Sequence, residues 1–168
     1  IGDGAGLVQA LVDRAMVALF QGQMDVARTF LDEGIRLAEA GDDRHGLAHH
    51  LAVLAFDEFH VSGSIERALP LTERSLKLFR EIGDDSDTAM ALGHLGRWLV
   101  FAGNAQLGTA TLLDSLALSS RVGNRTAMAY VLKFVGFASL ADNDAVGAHQ
   151  RFSESLDLYH TLRLKGDL

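Results

Sequence analysis

Leu76-Lys77-Leu78-Phe79-Arg80-Glu81-Ile82-Gly83-Asp84-Asp85 is an apolar-faced run closed by a glycine and followed by carboxylates. With Ala68 and Leu71 upstream, its apolar residues fall mostly on one face at helical spacing. Gly83 can take the left-handed conformation that closes a helix. Asp84-Asp85-Ser86-Asp87 can then cap the next one. The stretch therefore reads as one helix ending and another beginning, with almost nothing between.

The same reading recurs along the chain. Leu78 has counterparts at Leu37, Leu118 and Leu158, and Leu76 at Ile35, Leu116 and Leu156. Ala68 matches Ala27, Gly108 and Ala148, while Gly83 matches Gly41 and Gly123. A second turn series, Gly22, Gly63, Gly103 and Asn143, is spaced by 41, 40 and 40 residues. Asn is the natural substitute for glycine there, because it tolerates the left-handed region. A fixed period of this length is the mark of a repeat architecture. Each unit reads as two helices, the second starting near Asp25, Glu66, Gln106 and Val146. Pairs such as Glu73–Lys77 and Asp32–Arg36 lie on the opposite, solvent face.

Unit two has one residue more between Leu51 and Gly63 than unit three has between Leu92 and Gly103, which predicts a bulge or longer turn around Asp57–Val61. Pro70 predicts that the helix containing it starts at or after Ile65, keeping the proline near the first turn, where N–H groups lack partners anyway. In unit four, Arg163 replaces the closing glycine and Gly166-Asp167 comes late. Either the last helix runs longer or the register slips.

These columns resemble the tetratricopeptide repeat in its longer, roughly 40-residue bacterial form. Ala15, Ala55, Gly96 and Gly136 match the small residue of the family's first helix. Leu54, Leu95 and Val135 match the aliphatic before it, from which Arg14 departs. The run Leu76–Asp85 is similar to repeats behind the ATPase modules of large LuxR-type and SARP-type bacterial regulators. The resemblance implies an all-α fold: a right-handed superhelical α-solenoid of four helix-turn-helix repeats, about eight helices. The expected organisation is a lead-in over 1–6, then one domain over 7–168 with repeats at 7–43, 44–85, 86–124 and 125–165. Ile1 in place of Met leads us to expect a piece of a larger protein.

Composition narrows the function. The 168 residues are 48% hydrophobic and carry a formal net charge of −7, which disfavours direct nucleic-acid binding. There is one proline and no cysteine, so disulfides, thiolate metal sites and cysteine nucleophiles are absent. The longest apolar runs, such as Leu51–Phe56, are far too short to span a membrane. No basic stretch leads into an apolar core at the start, and a cytoplasmic location is expected.

His45, His49 and His50 lack the intervening glutamate and third ligand of a zinc motif. Asp142–Gly147 opens like a calcium loop, but Val146 and Ser153 stand where oxygen ligands are required. Gly2–Gly6 follows no strand and reads as a flexible leader rather than a nucleotide loop. No catalytic motif stands out, so neither metal nor cofactor is expected and the chain is read as a non-enzyme.

In the superhelix that the resemblance implies, the first helices line a concave groove. It would present Gln9, Met16 and Phe20, then His49, Phe56, Phe59 and His60, then Met90, Arg97 and Phe101, and finally Tyr130, Lys133 and Phe137. Trp98 and Phe134 are expected to pack between repeats. An aromatic groove with a few polar groups suits a protein or peptide partner. The leading expectation is thus an interaction scaffold, the sensor or assembly segment of a bacterial transcriptional regulator. The alternative is a receptor for a small ligand or signalling peptide. The apolar first and last helices, lacking polar caps, predict further repeats or self-association.

Overall fold

The computed structural model describes residues 4–165, with side chains through 163. The described residues form eight helices and no strands: α1 Gly4–Phe20, α2 Met24–Ala40, α3 Arg44–Ser62, α4 Ile65–Ile82, α5 Asp85–Phe101, α6 Ala105–Val122, α7 Arg125–Ala141 and α8 Ala145–Lys165. The fold is an all-α array of four helical hairpins. They form two compact units, Ile1–Gly83 and Asp84–Leu168.

In the first unit α1 pairs with α2 and α3 with α4, and both α1 and α2 pack on α3. The second unit repeats this scheme: α5 pairs with α6, α7 with α8, and α5 and α6 both meet α7. Burial follows the repeat columns. Val8, Ala38, Leu47 and Leu51 form one cluster in the first unit, and Ala18, Leu19 and Ala27 another. Leu112, Val131, Phe134 and Val135 form the corresponding cluster of the second.

The hairpin turns depend on left-handed residues. Gly22, Gly63, Gly103 and Asn143 have φ of 73°, 66°, 85° and 60°. Asn143 thus takes the glycine's role, as its column predicts. At the hairpin-to-hairpin turns Gly83 and Gly123 do the same, but Gly41 has φ −95° and Asp42 takes the left-handed place at 52°. Asp43, Asp84 and Asn124 cap the following helices by accepting from the N–H of Gly46, Asp87 and Ala127. The acidic run after Gly83 begins with this cap.

Three local expectations come out differently or more sharply. The additional residue of unit two makes no bulge: α3 is helical through Ser62, 19 residues against 17 for α1, α5 and α7. Pro70 is the sixth residue of α4, past the first turn. Glu66, whose carbonyl loses the bond Pro70 cannot donate, is exposed like Pro70 itself, so water can serve that carbonyl. At the C-terminus α8 runs longer, to Lys165. Gly4–Gly6, read from sequence as leader, already belong to α1. Residues 1–3 and the Gly166-Asp167 pair lie outside the described residues.

The small columns bring paired helices into backbone contact. A side-chain carbon added at Gly96 would meet the Leu112 amide at 2.9 Å and the Gly108 carbonyl at 3.0 Å. One added at Gly108 would meet the Val100 amide at 2.7 Å and the Gly96 carbonyl at 2.9 Å. Ala15 and Ala27, and likewise Ala55 and Ala68, are almost completely buried in the other columns' places.

A further column, Gly34, Ser75, Ser115 and Ser155, is visible only with the structure. Each buried serine donates its hydroxyl to a carbonyl of the paired first helix: Ser75 to Ala48 at 2.8 Å, Ser115 to Ala89 at 2.5 Å, Ser155 to Ala129 at 2.7 Å. At Gly34 the His50 ring occupies the space a side chain would need.

Two substitutions test this packing. Gly96→Leu should destabilise the chain by about 1–3 kcal/mol or more, because behind the Leu112 side chain it also meets backbone atoms that cannot step aside. Leu112→Ala, which empties a fully buried position, should cost about 2–5 kcal/mol. Urea denaturation that finds Gly96→Leu as stable as the parent would contradict the close approach.

Candidate functional site

The residues expected in a groove occur in both units. In the first, the Phe56 ring stacks on His60 at 3.8 Å between centroids, and Phe59 meets the same imidazole edge-on at 5.5 Å. His60, an exposed residue, donates from Nδ1 to the Phe56 carbonyl at 2.8 Å. Phe56 also packs on the Ala18–Leu19–Ala27 cluster, so it is partly core. His49 lies with His45 against Phe79 of α4, its ring 5.0 Å from the phenyl centroid.

Behind this group sits a network that sequence reading did not find. Asp57 is buried on α3 and receives Arg28 Nη1 of α2 at 3.0 Å. The other Arg28 nitrogen is bound by Glu58, which Arg67 of α4 also approaches at 3.5 Å. Burial raises the Asp57 carboxyl above its usual range, although Arg28 pulls it down. The hydrogen bond from Arg28 lowers Glu58. Two carboxylates share two guanidinium groups, an arrangement that ties three helices together.

The second unit is different in kind. His94, Arg97, Trp98 and Phe101 are spaced i, i+3, i+4, i+7 along α5, and Tyr130, Lys133, Phe134 and Phe137 repeat that spacing on α7. Each set is one stripe on its helix. The Arg97 guanidinium, 6% exposed as a residue, lies 3.6 Å over the Trp98 ring and 5.3 Å from the Phe134 centroid. The Lys133 ammonium sits 4.8 Å over Phe134 and 5.3 Å over Tyr130. His94 stacks on Tyr130 at 4.9 Å, with the ring planes 15° apart. Phe101 and Phe137, 44% and 45% exposed, flank Phe134 at 6.0 and 5.9 Å. Met90 lies half-buried about two turns before Arg97 on α5.

The electrostatics follow from crowding cations in a poorly hydrated place. Burial, with Arg97 and Lys133 adding to it, pushes His94 down to about 3. Burial and then Arg97 lower the Lys133 ammonium. Burial also lowers Arg97, which stays charged, and raises the Tyr130 phenol against the pull of Arg97. Trp98 and Phe134 are buried, as expected of them, yet their faces carry the cations. His94 was missed in the sequence, although its one-turn offset from Arg97 and Trp98 was there to be read.

No family model matches the chain. Among solved structures, BtubC (BKLC) from P. vanneervenii is similar with a TM-score of 0.75 at 15% identity, covering 97% of this chain and 67% of that one. A signal transduction ATPase with numerous domains (STAND) protein with a tetratricopeptide repeat sensor, from Pyrococcus horikoshii, is similar with a TM-score of 0.75 at 15% identity. That match covers 99% of this chain and 26% of the other, so the chain spans about a quarter of that relative. At this identity the likeness establishes the helical-repeat fold. Among the described residues, no helix is long and apolar enough to cross a membrane.

The depressed histidines give stability a direction with pH. An unfolded histidine titrates near about 6.5. The folded chain keeps His94 neutral down to about 3, and burial also lowers His50 against the help of the Gly46 carbonyl. As pH falls below about 6.5 the unfolded chain takes up protons that the folded chain refuses, so stability is lost towards acid. Urea denaturation at pH 7.5 and 5.0 should show this loss, and His94→Phe should reduce it. An unchanged slope in that variant would place the acid sensitivity elsewhere.

Proposed function

We propose that this chain is a non-catalytic interaction scaffold, in which the α5–α7 stripe takes up a peptide segment of a protein partner. One observation carries the reading: two half-exposed phenylalanines, Phe101 and Phe137, stand beside a floor that holds Arg97, Lys133 and Tyr130. Apolar contact beside fixed polar groups provides both binding free energy and orientation for a peptide. Tyr130 and Arg97 are residue types enriched among binding hot spots. In the first unit, the Phe56–Phe59–His60 group with His49 is a candidate surface of its own, and Met90 belongs with the α5 residues of the second.

The wider setting is a bacterial cytoplasmic regulator, with this chain as its sensor or assembly segment. The similarity of Leu76–Asp85 to repeats of LuxR-type and SARP-type regulators supports that setting, as does the repeat sensor named for the STAND protein. On α1, Leu7 and Val17 are 51% and 54% exposed, whereas their counterparts Leu47 and Asp57 on α3 are buried. That open face suits another hairpin, from further repeats or from a second copy of the chain.

Selection of a displayed peptide library on the chain, followed by calorimetry, tests the proposal. Phe101→Ser with Phe137→Ser should weaken the selected peptides by about tenfold or more, since each rim ring contributes on the order of 1 kcal/mol or more. Arg97→Ala with Tyr130→Ala should weaken them at least as much. Peptides that bind all of these variants as well as the parent would remove the stripe from consideration.

A further inference from the structure

Between α1 and α2 lies an open cavity of about 330 Å³, walled by Val17, Val26 and Phe30 and edged by Asp13, Arg14 and Gln21. The Arg14 guanidinium lies 4.2 Å over the Phe30 ring. The next hairpin shows what such a place can hold. Val17, Ala18 and Val26 share their columns with Asp57, Glu58 and Arg67. There Arg28 of α2 reaches in from the hairpin before, meeting Asp57 at 3.0 Å and Glu58 beside it. The cavity is thus the first hairpin's version of the seat that Arg28 fills in the second.

On the last hairpin the column of Arg28 holds His149 of α8. It is exposed, as are Val146 three residues before it and Leu156 seven after it, at 82% and 68%. The three lie on one stripe of α8. Elsewhere the column of Leu156 is covered by the helix that follows. Ile35 packs on the cluster that holds Leu47 and Leu51 of α3, and Leu116 on the one that holds Val131 of α7. The α8 stripe and the α1–α2 face are therefore the two halves of the same hairpin junction. Their charges also match. A hairpin bringing an arginine, as α2 does, would set it near Arg14 and against Val17 and Ala18, without the two carboxylates that hold Arg28. His149 needs no such pair.

We propose that a second copy of the chain docks here end to end, with His149 of its α8 entering the α1–α2 cavity and its Leu156 lying on Leu7. The proposal rests on the open α1 face described above and commits it to one occupant. The peptide reading of the α5–α7 stripe is independent of it. The register is that of α2 on α3, where Arg28 meets Asp57 and Ile35 packs on the cluster of Leu47, the counterpart of Leu7. The imidazole lies among Val17, Val26 and Phe30 and donates an N–H to the Asp13 carboxylate. Each copy carries one face of each kind, so the contact is heterologous and a dimer still presents both faces. Association therefore continues past the dimer.

Sedimentation velocity over a concentration series tests this. The chain should form species that grow beyond a dimer as concentration rises. Val17→Asp puts a charge on the cavity wall, and His149→Asp sets a carboxylate against Asp13. Both positions are exposed, so far-ultraviolet circular dichroism should match the parent. Each variant should weaken association by about tenfold or more. Mixed at a concentration where each alone is monomeric, the two should form a dimer and stop there. The α8 face of the Val17→Asp chain and the α1 face of the His149→Asp chain make one sound junction. Lys77→Met, at an exposed cation on α4, should associate like the parent.

A chain that stays monomeric at every concentration overturns the second copy as occupant, and the library selection still decides the peptide groove by itself. Growth that ends at a dimer and is untouched by either variant overturns the pairing of the two ends. So does a mixture of the variants that remains monomeric. If Val17→Asp loses its helicity, Val26→Asp on the opposite wall takes its place and should act alike. Added salt should leave association intact, because the junction is nearly uncharged and the net charge of −7 on each copy is screened. Association that salt abolishes overturns the neutral junction.

Discussion

Two backbones touching at Gly96 and Gly108 set the geometry of the second unit. Helices bearing ordinary side chains at their crossing are held apart by them. Here the missing side chains let α5 and α6 close until the backbone amides of Leu112 and Val100 lie within 3 Å of where a side-chain carbon would stand. Arg97 and Trp98 follow Gly96 directly, so both stand on α5 beside that contact. Gly136, one repeat on, uses its missing side chain differently: the Phe152 ring fills the space. That ring also meets Phe137 at 5.2 Å, so a glycine on α7 helps orient a rim residue of the stripe.

The two units handle buried charge in opposite ways. In the first, Asp57 and Glu58 meet Arg28 and Arg67, and opposite charges balance across α2, α3 and α4. Such a network fixes helices in place and has little left to offer a ligand. In the second, the charges acting on Lys133 and His94 have one sign, and their surroundings are rings. Like charges beside aromatic faces raise the free energy of the folded chain. Sites of function are where such costs tend to be retained.

Much of the architecture was legible because it is periodic. The turn series Gly22–Gly63–Gly103–Asn143 and the small columns at Gly96 and Gly108 each leave a residue type that few others can replace. Departures came where two solutions cost nearly the same. A left-handed turn can be taken by Gly41 or passed to Asp42. An added residue can bulge or simply lengthen α3, and helical hydrogen bonding favours the second. The stripe was legible only in part. Its spacing on each helix is in the sequence, but the burial that turns Arg97, Lys133 and His94 into one electrostatic group depends on the packing of α5 on α7. His49 meeting Phe79, and Phe56 joining the core beside Ala18, likewise depend on which neighbour each ring finds. The serine column went unread because serine is unremarkable in a helix until its hydroxyl is seen reaching across to a carbonyl.

The first position of that column has a consequence for how the chain can change. Where three hairpins place a serine, the first has Gly34, and the volume belongs to the imidazole of His50. Neither residue can move to its neighbours' solution alone. A serine at 34 would collide with the ring, and a smaller residue at 50, such as the Val131 of its own column, would leave a void beside the glycine. The two positions form a coupled pair, so hairpins that look interchangeable are not. Exchanging the first hairpin for a later copy, or duplicating it, succeeds only if its tenant travels with it.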